Sequence, residues 1–231
     1  MKNNIDFLYK YTDFNAVVSI LNGSSLRWAS PKTFNDEYEL KIMPIINLKI
    51  KEKNQIKKIK IKKQEVKKIF LKNVDLKKMK IVSFTSLYNN KLMWKNYANN
   101  YQGCILKFST VLGDNNLFAL ARKMKYVNIK RKITYNKLFD NTVNHSVIGN
   151  LIIDSVIFTK EYKWYTENEY RIIHPGLPTK NVEEDYAFIE FDKKSLVSVT
   201  IGKEMTEKNR IEIENIIKTE YPDTVLLYQE D

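Results

Sequence analysis

Tyr165-Thr166-Glu167-Asn168-Glu169-Tyr170-Arg171-Ile172-Ile173 decides how this chain is read. Its apolar end predicts a strand over Tyr170 to His174. Residues i and i+2 of a strand share a face. Glu167 and Glu169 are therefore expected to point into one space, with Arg171 beside them. Two carboxylates on one face repel unless a cation or a hydroxyl stands between them. An isolated pair of this kind is usually an edge-strand face balanced by the arginine. Here the rest of the chain gives it company.

Upstream, Ser83-Phe84-Thr85-Ser86 closes a predicted strand over Met79 to Thr85. A helix follows from Asn89-Asn90 through Tyr97 and carries Met93 and Trp94. Near the start, Leu8-Tyr9-Lys10-Tyr11-Thr12 lies on a strand over Ile5 to Tyr11. Thr12 or Asp13 caps a helix to about Leu21, which Asn22-Gly23 ends. Leu26 to Ala29 is a second strand, and Asn35-Asp36 signals a turn. Residues 50–72 are expected to form a basic helix with a partial apolar stripe of Ile56, Ile59, Val66, Ile69 and Phe70. A long helix is expected from about Asn136 to Tyr162, with Gly149 as its weak point. Strands over Gly103 to Phe108, Tyr186 to Phe191, Val197 to Ile201 and Val225 to Tyr228, with a helix over Thr206 to Thr219, complete the pattern. Strands and helices mix without a βαβ rhythm, which predicts an α+β fold. At 231 residues the chain is expected to be a single domain over 1–231 with a Lys-rich helical insertion at about 50–72.

Composition narrows the chemistry. The hydrophobic fraction is 43% and the aromatic fraction 12%, enough for a core. No apolar run approaches the roughly 18 residues that span a bilayer, and the opening residues have no hydrophobic signal region. A cytoplasmic location is expected, with no membrane partner. Cys104 is the lone cysteine, and His145 and His174 are the two histidines, so no metal site is expected. With six glycines and no Gly-rich phosphate loop, P-loop and Rossmann readings fail.

The net charge of +12 is concentrated. Residues 49–80 hold 14 lysines against three acids, so the remainder of the chain is almost neutral. Such a stretch attracts phosphate backbones without reading sequence, and Lys57, Lys58, Lys62 and Lys63 are the candidate nucleic-acid contacts. The bland alternative is a solvated helix face.

Read as a set, the strings from Leu8-Tyr9-Lys10-Tyr11-Thr12 through Ile20-Leu21-Asn22-Gly23, Leu26-Arg27-Trp28-Ala29-Ser30-Pro31 and Phe34-Asn35-Asp36, with Met93-Trp94, Tyr97-Ala98, Gly103 and Glu167-Asn168-Glu169-Tyr170-Arg171, resemble a widespread bacterial family of unassigned function. That family is found often in mobile and phage-defence neighbourhoods. More remotely, the order of motifs is similar to the ADP-ribosyltransferase fold. Its toxin branch carries an arginine strand, then Ser-Thr-Ser, then Glu-x-Glu. Ser83-Phe84-Thr85-Ser86 resembles the second motif and Glu167-Asn168-Glu169 the third. Lys10 stands where other branches place a histidine, and neither that histidine nor the toxin arginine is present.

The resemblance implies mixed sheets with flanking helices and an enzyme that consumes NAD as substrate. It implies a toxin or anti-phage effector, with an antitoxin or defence-system protein as a possible partner, and the Lys-rich segment favours nucleic acid, RNA or DNA, as the acceptor. Glu169 would stabilise the oxocarbenium ion, and Glu167 would orient or deprotonate the acceptor. Ser83 and Thr85 would hold Glu169. Tyr11 or Trp94 would stack on nicotinamide. Arg171 or Lys10 would meet the pyrophosphate, and Tyr9, Lys10 or Arg27 would replace the missing first-motif grip. The alternatives are a non-enzymatic nucleic-acid-binding defence protein and a nuclease. Read blandly, Tyr9, Tyr11 and Trp94 are core aromatics, Ser83 and Thr85 ordinary strand residues, His174 and Cys104 structural, and Glu183-Glu184-Asp185 a solvated loop.

Overall fold

The computed structural model of the chain describes residues 5–34, 40–52, 55–76, 78–111, 116–131, 133–139, 145–174 and 185–230. The Asn35-Asp36 turn, Pro175-Gly176 and Glu183-Glu184 lie outside them. Among the described residues no helix is long and apolar enough to cross a membrane.

The chain runs β1 (Phe7–Thr12), α1 (Phe14–Gly23), β2 (Ser25–Ala29), β3 (Ile45–Glu52), β4 (Gln55–Ile61) and α2 (Lys63–Asn73). It continues with β5 (Lys80–Thr85), α3 (Lys91–Tyr97), β6 (Cys104–Ser109), β7 (Arg122–Lys123), β8 (Lys125–Val127) and β9 (Thr134–Phe139). It ends with α4 (His145–Ile157), β10 (Thr159–Glu161), β11 (Glu169–His174), β12 (Tyr186–Glu190), β13 (Leu196–Ile201), α5 (Glu207–Glu220) and β14 (Val225–Tyr228). The fold is mixed α+β. The main sheet has the order β12-β2-β5-β1-β6-β13-β14, with β11 on β5 and β7 on β11. A three-stranded sheet β4-β3-β9 and a parallel pair β10-β8 accompany it.

Local chemistry sets the element ends. Asp13 accepts from the Ala16 amide and starts α1, and Asn90 accepts from Leu92 and Met93 at the start of α3. Both satisfy amides that have no partner inside the helix. Alternation then sorts the faces of the main sheet. Val82, Phe84, Tyr170 and Ile172 enter one core with Leu8, Leu26, Trp28, Leu106 and Phe108. The other face of β5 and β11 carries Ile81, Ser83 and Thr85, and Glu169, Arg171 and Ile173.

Residues 50–61 correct the expectation of a basic helix. Residues 50–52 and 55–61 belong to an antiparallel pair, in which Leu48 faces Ile59 and Ile46 faces Ile61. Helix begins only at Lys63. The segment is not a peripheral insertion either. Ile46, Leu48, Ile61, Val66 and Phe70 build a second core with Ile152 and Val156 of α4. That core contains Ile81 and takes Ile173 at its margin. It therefore packs on the same face of the main sheet as Ser83 and Glu169. The expected helix over 136–162 is also divided: β9 covers its start, α4 its middle, and β10 its end.

Candidate functional site

The cleft lies where the main sheet opens. β11 pairs with β5 along Lys80–Thr85. On its other edge, β5 meets β1 only at Tyr9–Thr85 and β2 only at Ala29–Ile81. Ser83 sits midway between these two points. The opening leaves a cavity of about 490 Å³, within the usual range for small-molecule sites. Tyr9, Tyr11, Arg27, Ser83, Thr85 and Glu169 all line it, and so do Lys10, Glu167 and Arg171. Nine of the ten residues expected to serve catalysis or NAD thus share one cavity.

Trp94 is the exception and corrects its expectation. It has no exposed surface. Its ring is packed edge-on to Tyr11 and stacked with Tyr101, and its indole nitrogen donates to Asn89. It supports Tyr11 from beneath and cannot reach a ligand. The Tyr11 hydroxyl is itself engaged, donating to the Leu87 carbonyl at 3.0 Å and accepting from the Asn90 amide at 2.8 Å.

The acidic pair forms, but not by the pleat of a strand. Glu167 ends a 3-10 turn over Tyr162–Glu167, and Asn168 adopts a left-handed conformation at φ 42°. Asparagine tolerates that region better than most residues. β11 then begins at Glu169. The turn folds both carboxylates onto Lys160, whose ammonium donates to Glu167 at 2.7 Å and to Glu169 at 2.8 Å. Ser83 Oγ donates to Glu169 Oε1 at 2.6 Å. Arg171 grips the same carboxylate, Nε to Oε1 at 2.6 Å and Nη2 to Oε2 at 3.3 Å. Thr85 does not hold Glu169; its hydroxyl donates to the Glu167 carbonyl at 2.6 Å. Tyr97 donates its hydroxyl to Glu167 Oε1.

Burial pushes the Glu169 carboxyl up, but Arg171 and Lys160 outweigh it and hold the group down at about 2. Burial opposes the Lys160 ammonium, and the two glutamates raise it above its ordinary value. Burial and the Glu167 hydrogen bond push the Tyr97 phenol well up. Two carboxylates are thus matched by two cations.

Two further cations line the cleft. Lys10 leaves the core side of β1 and reaches through the opening. Its ammonium donates to the Ser83 carbonyl at 3.2 Å and lies 5.5 Å from the Phe84 ring centroid. Burial, then the Arg27 charge, lower it from 10.5 to about 8 against the pull of Glu169. The Arg27 guanidinium stacks on Tyr186 at 4.6 Å. Among the described residues neither Lys10 nor Arg27 forms an ion pair. Arg171, expected as an anion contact, is instead almost fully buried and spent on Glu169 and the Ile157 carbonyl.

Sequence reasoning missed Lys160, which fell inside a wrongly expected helix, and placed Tyr97 on the helix after the Ser/Thr strand without giving it a role. It also passed over the lining aromatics Phe34, Trp164 and Tyr186. The repulsion of two acids did call for a cation, but nothing in the spacing located it.

The four lysines expected to meet nucleic acid are exposed and lie away from the cavity lining. Lys57 and Lys58 sit on β4, Lys62 precedes α2, and Lys63 opens it. Among the described residues, no cluster of His, Cys, Asp and Glu could hold a metal ion.

Residues 93–172 match a family described as protein of unknown function, DUF2971. The matched span includes Tyr97, Lys160, Glu167, Glu169 and Arg171, and leaves out Lys10, Arg27 and Ser83. No curated protein matches the chain. No solved structure matches it.

Proposed function

We propose that the chain is an NAD-consuming ADP-ribosyltransferase-like enzyme acting as a toxin or anti-phage effector, with the opening in the sheet as its NAD site. One observation carries the reading. A single cavity is lined by Lys10 and Arg27, which form no ion pair among the described residues, and by Glu167 and Glu169, the latter held by the Ser83 hydroxyl. Lys10 and Arg27 suit the pyrophosphate, and Tyr9 and Tyr97 present rings to a planar base. The nicotinamide–ribose bond breaks with its electron pair leaving on nicotinamide, and positive charge develops on the ribose. In this reading the Glu169 carboxylate faces that charge, held in place by Ser83, Lys160 and Arg171. Glu169 already accepts four hydrogen bonds, whereas Glu167 accepts two. Glu167 therefore keeps lone pairs for the proton of the acceptor as the new bond to ribose forms.

The test is nicotinamide release from labelled NAD, with RNA, DNA and protein acceptors supplied in turn. The wild type is expected to release nicotinamide and label one acceptor class. Glu167→Gln is expected to be slower by about 10²–10⁴-fold. No release with any acceptor overturns the reading.

A second reading is a non-enzymatic nucleic-acid-binding defence protein, in which the glutamates only brace the cleft. The four donors on Glu169 favour it, because they occupy all the lone-pair sites of that carboxylate. Turnover of NAD separates the two.

A further inference from the structure

The three-stranded sheet β4-β3-β9 buries one face in the second core and leaves the other to solvent. Register assigns the outer residues. Lys49 stands directly opposite Lys58, Asn47 opposite Lys60, and Lys51 opposite Ile56. On the far side, Asn136 lies beside Asn47 and Leu138 beside Lys49, and Asn47 donates to Asn136 at 3.1 Å. Lys49, Lys51, Lys58 and Lys60 are all exposed. Among the described side chains, none that faces outward from the three strands is acidic. Among the described residues, none of these four lysines is ion-paired.

Like charges directly opposite each other across a strand pair are destabilising. A sheet face that keeps Lys49 against Lys58, flanked by two more lysines and no acid, is relieved by a polyanion. Two-residue steps along each strand set the lysines on the order of 7 Å apart, and the two rows run about 5 Å from one another. A phosphate backbone laid along the strands meets both rows. The outward charges are lysines spaced to meet successive phosphates, and phosphate contacts carry no sequence information. A membrane surface fits less well. The exposed apolar residues of this face, Ile56 and Leu138, lie on its outer strands with β3 between them. Membrane-surface binding needs a continuous apolar side.

We propose that this outer face docks the phosphate backbone of a nucleic-acid strand without sequence preference, through Lys49, Lys51, Lys58 and Lys60. The site differs from the one expected from sequence. Of Lys57, Lys58, Lys62 and Lys63, only Lys58 points outward from the sheet; Lys57 is opposite the buried Ile50. The proposal deepens the function above by naming the acceptor class, and rests on it in that respect alone. The second core joins the face to β5 and β11 through Ile81 and Ile173, so the docked strand and the cleft belong to one packed body.

The test uses the whole chain and fluorescence anisotropy with a labelled single-stranded RNA and a scrambled version. The variant Lys49→Gln/Lys51→Gln/Lys58→Gln/Lys60→Gln is compared with Lys63→Gln/Lys67→Gln/Lys68→Gln/Lys72→Gln, which removes equal charge from α2. The sheet variant is expected to lower the log–log salt slope by roughly 3, since each phosphate on a single strand contributes about 0.7. The helix variant is expected to bind close to wild type, and the scrambled RNA equally well. In the wild-type protein, RNA is expected to protect Lys49 and Lys58 from acetylation, a readout independent of how the variants fold. Equal loss in both variants, no loss in the sheet variant, absence of protection, or tighter binding to anionic vesicles than to RNA overturns the proposal. If nicotinamide release is absent while RNA docks as described, the enzymatic reading fails and the docking face stands.

Discussion

Glu169 accepts from Ser83, Lys160 and twice from Arg171, and this changes what its substitution does. From sequence, Glu169→Gln reads as an isosteric change that spares the fold. With only 2% of Arg171 exposed, deleting the charge removes the Glu169 carboxylate from a buried guanidinium that it grips at two atoms. Breaking a buried pair from one side costs about 3–5 kcal/mol, so Glu169→Gln is expected to lower the melting temperature as well as remove activity, and both are read on the same preparation. The carboxyl sits at about 2 when folded against 4.5 ordinarily. The unfolded chain therefore takes the proton first as pH falls. Its stabilisation is complete above about pH 4.5 and is lost as pH falls toward 2, a loss Glu169→Gln is expected not to show. Lys10 behaves in the opposite sense toward a ligand. Its ammonium titrates at about 8, so it is charged below that pH and neutral above it. Affinity for a phosphate-bearing ligand is expected to fall as pH rises from 7 to 9, by up to about tenfold per unit once the group is neutral. Lys10→Arg is expected to flatten that profile. A profile unchanged by Lys10→Arg excludes Lys10 as the anion contact.

The elements differ in how plainly the sequence announces them. β1, β5, β6, β11, β13 and α5 carry clean alternation or caps, and their positions were legible to within a residue or two. So was the gathering of Tyr9, Ser83 and Glu169, because alternation fixes the face once the strands are known. β3 was equally legible and was passed over: Ile46, Leu48 and Ile50 alternate with Asn47 and Lys49 and are the buried ones. β4 misled for a physical reason. Lys57-Lys58 breaks its alternation, and Ile56, Ile59, Val66 and Phe70 mimic a helical stripe across two separate elements. Lys160 was not legible at all, because its place depends on a left-handed Asn168 and on β10 pairing with β8. Two glycines test the elements as built. A Cβ on Gly103 would stand 2.1 Å from the Thr12 carbonyl oxygen, whereas one on Gly149 meets nothing within 4 Å. Gly103→Ala is expected to destabilise by about 1–3 kcal/mol. Gly149→Ala, inside α4, is expected to stabilise by about 0.4–1 kcal/mol. Chemical denaturation of both variants checks the pair, and the reverse order would mean that β6 does not meet β1 as described.

At the scale of the whole molecule, two cores flank the strands that carry the site. One lies beneath β5 and β11, and the other stands beside the cleft on the same face. The basic segment is therefore structural as well as charged. Phe70 is 1% exposed within the second core, and Phe70→Ala is expected to cost about 3–5 kcal/mol. A melting temperature unchanged by Phe70→Ala would make the segment a detachable appendage. The opening in the main sheet, lined by Lys10, Arg27 and the glutamate pair, is the proposed NAD site. Calorimetric titration of NAD into the wild-type chain and into Lys10→Gln/Arg27→Gln at pH 7 tests it most directly. The wild type is expected to bind one NAD, and the double variant, with its circular dichroism unchanged, to bind at least about tenfold more weakly. No heat of binding with the wild type, or equal affinity in the folded double variant, would contradict the claim.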